Sequence, residues 1–389
     1  MDLDTVLRRG VAEIIPADEF HRKLASGRRL RLKQGFDPSR PDLHLGHAVG
    51  LRKLRQLQDL GHEVVVIVGD WTAQIGDPSG QSATRPMLSA AEVRANAQTY
   101  LEQFFLVVDR ARATVRWQSE WYGGFGLADV IRLTSTFTVA QMLQREDFAR
   151  RYEAGSPISV TELLYPLLQA YDSVAIQADV EFGGTDQKFN CLVGRELQRA
   201  TGQPPQSVFL VPILVGTDGA QKMSKSLDNY IALNEPPNDV FGKVMSIPDT
   251  LVRSYFELLT DVPLEQIDGF DGNPMDLKKR LAREIVTQFH GAAAAGAAQA
   301  EFERIFQRRE QPTEMPDYRL GALERTLDFS AFLELLTAAG LAASKSEARR
   351  LVAQGAVLVD GRRVPSGTQT LALRAGAVLR RGRHFVRLV

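Results

Sequence analysis

The chain has 389 residues, 44% of them hydrophobic and 24% charged, with Lys+Arg and Asp+Glu in equal number. That length exceeds one compact core and predicts two or three globular domains. No apolar run reaches membrane-spanning length, and the charged stretch Met1–Arg9 lacks the apolar centre of a signal peptide.

The single cysteine, Cys191, excludes an internal disulfide and fits a reducing cytoplasm. It reads as a small buried apolar residue. One Cys and six scattered His give no zinc-ligand cluster, so no protein-bound metal is expected. The neutral total conceals an asymmetry. Residues 330–389 hold ten Lys/Arg and only three acids, a net +7, which leaves the rest of the chain at −7. A basic terminal module on a mildly acidic body points to a polyanion such as RNA or DNA.

In chain order, Leu30–Gln34 predicts a first strand that enters the stretch 33–50, KQGFDPSRPDLHLGHAVG. Residues 43–60 follow as an amphipathic helix stopped by Gly61. A strand, a tight loop and a helix place unpaired N–H groups at a sheet's carboxyl edge, which is an anion site. His44 and His47 lie three apart, so both imidazoles share a helix face. Gly46, between them, leaves room for a flat ligand against the backbone. Two readings stay open here: a histidine pair that caps a helix, or one that meets a nucleotide triphosphate.

Val64–Val68 is a β-branched run suited to a buried parallel strand. It ends in Gly69-Asp70 and the Gly/Asp/Pro/Ser loop 72–80. Residues 90–106 read as a helix and Thr114–Trp117 as a strand. Residues 127–152 are helix-rich, carry Arg145, Asp147 and Arg150, and read as an insertion. Residues 159–177 form a helix in which Tyr165, Gln169 and Asp172 occupy one face. Pro166 predicts a kink there, or a place in the first turn. Ala178–Phe182 is a strand ending in Gly183-Gly184-Thr185-Asp186-Gln187, followed by a helix from Lys188. Val208–Val215 is the last strand, and the loop Gln221–Ser226 follows.

Repeated β-loop-α units predict a Rossmann-like doubly wound parallel sheet with a helical insertion. The domains expected are a Rossmann-like domain at 1–235 (insertion about 118–160), a helical domain at 236–325 and a small α+β module at 330–389. Residues 311–317 read as a linker. The tail contains a helix pair at 329–354, then a strand-turn-strand from Gly355 to Arg362.

Lys222-Met-Ser-Lys225-Ser reads either as a solvated turn or as a loop that closes over phosphates. Paired with His44-Leu-Gly-His47 on the same α/β domain, it resembles the two landmarks of the class I aminoacyl-tRNA synthetases. The helix face of Tyr165, Gln169 and Asp172, beside Gly184-Thr-Asp186-Gln187, is similar to the tyrosyl-tRNA synthetase pocket. The segment from Ala343 to Gly361 resembles the S4 RNA-binding domain. Tryptophanyl enzymes share the catalytic fold and generally lack that tail.

The resemblance, from about residue 30 to the end, implies an enzyme that forms tyrosyl-adenylate from ATP and then charges tRNA(Tyr). It implies that Asp172 accepts the phenol hydroxyl, that Asp77, Tyr165 and Gln169 hold the α-ammonium, and that Gln187 lies near the carboxylate. It places ATP against Gly35, Asp37, His44, Gly46, His47, Gly184, Asp186, Lys222 and Lys225. Mg2+ is expected with ATP. Lys345, Arg349 and Arg350 would face tRNA phosphates. A homodimer through the insertion, in the cytoplasm and off the membrane, is the implied working state.

The chain departs from the family at Lys33, where many tyrosyl enzymes carry a tyrosine that touches the phenol. Asp172 is therefore expected to have a different second partner. Two rival functions are weighed. An idle RNA-binding paralogue would have lost the landmarks, and a different nucleotidyl transferase would lack the tyrosine pocket and the tail.

Overall fold

The structure is a computed structural model that describes residues 2–39, 42–78, 88–307, 315–321, 324–365, 367–382 and 384–389. Part of the 72–80 loop and part of the 311–317 linker lie outside these residues. The chain forms two compact units, Met1–Gly296 and Ala297–Val389.

The first unit is built on a six-stranded sheet of order β1-β6-β5-β2-β3-β4. The strands are β1 (Glu13–Ile15), β2 (Arg31–Phe36), β3 (Glu63–Val68), β4 (Ala113–Trp117), β5 (Val180–Gly184) and β6 (Ser207–Val211). β2 to β6 are mutually parallel, while β1 runs antiparallel along β6. The doubly wound parallel sheet therefore gains an antiparallel edge strand from a segment too short to show alternation. β3, β5 and β6 are almost wholly buried and read EVVVIV, VEFGG and SVFLV, as strands covered on both faces do. The last strand ends before its expected limit, at Pro212, which has no N–H for the ladder.

The chain winds from β2 outward to β3 and β4, then returns to the other side of β2 for β5 and β6. The topological switch lies between β2 and β5. In open α/β sheets the crevice at that point takes the ligand.

Helix α1 (Leu45–Asp59) follows β2, and α2 (Ala90–Phe104) lies between β3 and β4. Ser89 and Glu92 form a capping box at the start of α2. The insertion contains α3 (Leu127–Thr134) and α4 (Glu146–Glu153), then α5 (Val160–Ile176) leads to β5, and α6 (Lys188–Ala200) joins β5 to β6. Pro166 lies inside α5, beyond its first turn, and the helix continues past it to Ile176. Ser159 caps α5, and Gln177, at φ 51°, closes it in the left-handed conformation. Helices Pro237–Ser246 and Val252–Leu259 complete the predicted helical pattern, with a run Pro274–Phe306 that breaks at Gly291, φ 84°.

The second unit has a helix pair, Phe329–Ala338 and Lys345–Ala353, over a five-stranded and a two-stranded sheet. Leu333, Leu336, Leu351, Val352, Leu379 and Val386 are among its core residues. Strand Val357–Val359 turns to Arg362–Arg363 through Asp360 (φ 47°) and Gly361 (φ 77°). Positive φ at both central residues suits a tight hairpin. Among the described residues no helix is long and apolar enough to cross a membrane.

Candidate active site

A cleft of about 390 Å³ opens at the carboxyl ends of the parallel strands. It gathers residues from the whole first unit: Gly35 and Asp37 after β2, His44, Gly46 and His47 on α1, and Asp77 after β3. Tyr165, Gln169 and Asp172 of α5 join them, with Gly184, Asp186 and Gln187 after β5 and Lys222 after β6. Lys225 does not line the cleft; its ammonium stands 5.3 Å over the ring of Tyr100, which does.

The two histidines cap α1. The backbone N–H of Gly46 donates to His44 Nδ1 at 3.2 Å, and that of His44 donates to His47 Nδ1 at 3.2 Å. An Nδ1 that accepts leaves the ring proton on Nε2. Burial pushes both pKa values down, His47 to about 3, with the nearby lysines adding to the effect. Both rings are neutral at pH 7 and offer an N–H rather than a base. The glycine between them is required sterically, because a Cβ on Gly46 would stand 2.9 Å from the His44 ring.

Backbone bonds join the histidine motif to the segment that follows the lysine loop. Leu45 N–H donates to the Ile231 carbonyl and Leu233 N–H to the Leu43 carbonyl, each at 3.0 Å. The loop is held in shape by Asn229, three residues beyond it. Its amide donates to Asp218 Oδ2 and the Lys222 carbonyl, and its oxygen accepts from Ser224 N–H. Lys222 Nζ lies 3.5 Å from Asp186 Oδ2. Gly184 makes room for Asp186, since a Cβ there would be 2.7 Å from Asp186 Oδ1.

The other half of the cleft is acidic. Tyr165 donates its hydroxyl proton to Asp37 Oδ2 at 2.7 Å, and Thr72 donates to Asp37 Oδ1 at 2.7 Å. Burial raises the Asp37 pKa to about 7 against these bonds. Gln187 Nε2 donates to Asp77 Oδ2 at 2.7 Å. Gln169 directs its amide nitrogen to Glu181 Oε1 at 3.1 Å, so its free acceptor capacity is on the amide oxygen. Asp172 accepts from Gln118 Nε2 at 2.9 and 3.1 Å and from Trp121 Nε1 at 3.2 Å. Burial raises its pKa to about 7, against the pull of Lys33 and Gln118.

Several of these residues escape sequence reasoning. Gln118 and Trp121 sit just after β4, in the stretch read only as the edge of an insertion. They are the hydrogen-bond partners of Asp172, whereas Lys33 turns to Glu181 instead. Arg145 is buried and reaches from the insertion to Asp77 Oδ1 (3.4 Å), Asn190 Oδ1 (3.1 Å) and Asp147 Oδ1 (2.8 Å). The only signal for it was a cation among insertion helices. Among the described residues no cluster of three or more His, Cys, Asp or Glu side chains has metal-holding geometry.

The family description "tRNA synthetases class I (W and Y)" matches residues 25–307, and that of the S4 domain matches 333–368. A tyrosine–tRNA ligase of Dehalococcoides mccartyi is 60% identical over 98% of this chain and 97% of its own length. The chain belongs to the tyrosyl-tRNA synthetases. A tyrosine–tRNA ligase of Thermotoga maritima is 51% identical, with 98% of this chain and 96% of its own covered. Two solved structures share the fold at 22% identity. A truncated mitochondrial tyrosyl-tRNA synthetase of Aspergillus nidulans has a TM-score of 0.66 and covers 78% of this chain and 93% of its own. The L-tyrosine complex of the Archaeoglobus fulgidus enzyme has a TM-score of 0.62 and covers 76% and 99%.

In the S4 unit of the synthetase, Ser344 caps the helix Lys345–Ala353. Lys345, Arg349 and Arg350 are all exposed on it. Lys345 also pairs with Glu334, a surface contact of little energetic weight.

Proposed function

We infer that this enzyme attaches L-tyrosine to tRNA(Tyr) through tyrosyl-adenylate. The observation that carries the reading is the cleft itself, with N–H and ammonium donors on one wall and a buried carboxylate on the other. In the first step the tyrosine carboxylate attacks the α-phosphorus of ATP, and pyrophosphate leaves. ATP enters as substrate with Mg2+ on its phosphates. Positioning and charge stabilisation carry the rate, because little proton transfer is involved.

His44 and His47 donate Nε2–H to phosphate oxygens, and Lys222 and Lys225 neutralise the pyrophosphate. Asp186 takes the ribose, beside Gly184, while Gly35, Asp37 and Gly46 border the nucleotide. Asp172 accepts a hydrogen bond from the phenol hydroxyl. Asp77, the Gln169 oxygen and the Tyr165 oxygen receive the α-ammonium, and Gln187 lies near the carboxylate. A buried carboxylate that needs a hydroxyl donor rejects phenylalanine, which would leave it unpaired; the handicap of such a mismatch is documented for this same enzyme class.

In the second step a ribose hydroxyl of the tRNA's terminal adenosine attacks the adenylate carbonyl and releases AMP. The helical segment 236–325 and the S4 unit hold the tRNA, the latter with Lys345, Arg349 and Arg350. The working form is a cytoplasmic homodimer. Leu127, Ile131, Val139 and Val160 support the insertion as its interface, because each is at least 59% exposed.

ATP–pyrophosphate exchange with each of the twenty amino acids tests the substrate. Exchange with tyrosine alone is expected, and exchange with tryptophan instead would overturn the assignment. Deleting 330–389 should leave that exchange intact and weaken tRNA charging in a salt-dependent way. Unaltered charging would remove the tail from tRNA binding.

A further inference from the structure

Lys33 belongs to the floor strand β2 but does not line the cleft. Its side chain is wholly buried. Its ammonium has three acceptors: Glu181 Oε1 at 2.8 Å, the Gln169 carbonyl at 2.8 Å and Ser173 Oγ at 2.7 Å. Lys33 and Glu181 are direct partners in the parallel ladder of β2 and β5. The Glu181 carboxylate also accepts from Gln169 Nε2, Ser173 Oγ and Gln206 Nε2. Gly194 on α6 provides the space, because a Cβ there would lie 3.1 Å from Glu181 Oε2 and 2.7 Å from Gln206 Nε2.

Burying two charges costs solvation that their attraction seldom recovers in full, so stability is a weak reason for such a pair. Its contacts suggest a stronger one. Gln169 and Ser173 bracket Asp172 on α5, and Lys33 grips a main-chain oxygen and a hydroxyl of that same turn.

We propose that the Lys33–Glu181 pair is the positioning device of the tyrosine pocket. Lys33 clamps the turn of α5 that carries Gln169 and Asp172, and its charge keeps Asp172 a carboxylate acceptor for the substrate phenol. The proposal rests on the assignment of Asp172 to the phenol. The charged and titratable groups around Asp172 are Lys33 and Asp37 from β2 and its following loop, Glu181 from β5 and Tyr122 after β4. Lys33 favours its ionised form, whereas Glu181 and Asp37 oppose it. Removal of the ammonium alone leaves Glu181 to push Asp172 upward. The acidic limb of kcat/KM for tyrosine must then move to higher pH.

The test is tyrosine- and phenylalanine-dependent exchange by Lys33→Met, by Lys33→Met/Glu181→Gln and by Asp172→Asn. Lys33→Met should raise KM for tyrosine about tenfold with KM for ATP unchanged, lower the tyrosine/phenylalanine ratio, and shift the acidic limb up by about one pH unit. The double variant is electrically neutral and suits the fold if the single variant does not express. It should restore the limb towards wild type while KM stays raised, because the clamp is still missing. If either folded Lys33 variant keeps wild-type KM, selectivity and pH profile while Asp172→Asn loses selectivity, the clamp is wrong and the pocket stands. If Asp172→Asn keeps its selectivity, the pocket assignment itself fails.

Discussion

Replacement of Asp172 by asparagine should separate the stability of the first unit from its recognition of a phenol. The residue is 2% exposed, and burial raises its carboxyl from 3.8 to about 7. A folded pKa above the unfolded one means that the folded chain binds more protons between about pH 4 and pH 7, so stability falls as pH rises through that window. A carboxyl that titrates at about 7 folded and about 3.9 unfolded costs about 3 kcal/mol of stability between about pH 5 and pH 8. Asp172→Asn removes that cost. The stability of the variant relative to wild type should therefore improve by about 3 kcal/mol over the same interval. Asp37, also raised to about 7, is present in both proteins, so its own titration enters both terms.

Urea unfolding read by tryptophan fluorescence measures this difference. Trp71, Trp117 and Trp121 are the only tryptophans, and all lie in the Met1–Gly296 unit. The same variant should lose its preference for tyrosine over phenylalanine in the exchange assay. A stability difference that is identical at both pH values would refute the account of Asp172 as a carboxyl whose ionisation burial opposes.

Other perturbations address the rest of the cleft. Lys225→Ala should lower tyrosine-dependent pyrophosphate exchange at least about tenfold, the effect of losing one charge contact in the transition state; unchanged exchange removes that lysine from the mechanism. Gly46→Ala sets a methyl 2.9 Å from the His44 ring. It should cut exchange sharply with little change in urea midpoint, and a fully active variant would mean that the ring's placement is immaterial. Arg145→Met leaves Asp147 beside an apolar chain and should destabilise the unit by about 3 kcal/mol. A loss under about 1 kcal/mol would show that the carboxylates find water instead.

The parts of the site that were legible lie in continuous loops at strand ends. His44–His47, Gly183–Gln187 and Lys222–Ser226 each carry their chemistry within a few residues, where a sequence pattern can hold it. Tyr165, Gln169 and Asp172 were legible because one helix face fixes their relation whatever packs against it. Gln118, Trp121 and Arg145 were not. Their roles depend on which side chain from a distant segment ends beside them, and no local period encodes that. Strand β1 was missed for a related reason. Three residues cannot display alternation, and β1 forms only because β6 offers it an edge. Lys33 was visible as an anomaly without an explanation, since its partner Glu181 is set by the register of β2 against β5.

The capping geometry of the histidine motif is compatible with the proposed phosphate contact. A capping nitrogen must accept from the backbone, and here Nδ1 of each ring does so. Once Nδ1 is an acceptor in a ring kept neutral by burial, the proton has only Nε2 to occupy. The cap thus selects the tautomer, and the tautomer carries the N–H that the proposed phosphate contact requires. Substitution by alanine would remove both at once and could not tell them apart. His47→Asn retains an acceptor oxygen for the His44 N–H and an amide donor beyond it. It should therefore keep more exchange activity than His47→Ala at equal folded stability. Equal activity in the two variants would sever the cap from the chemistry.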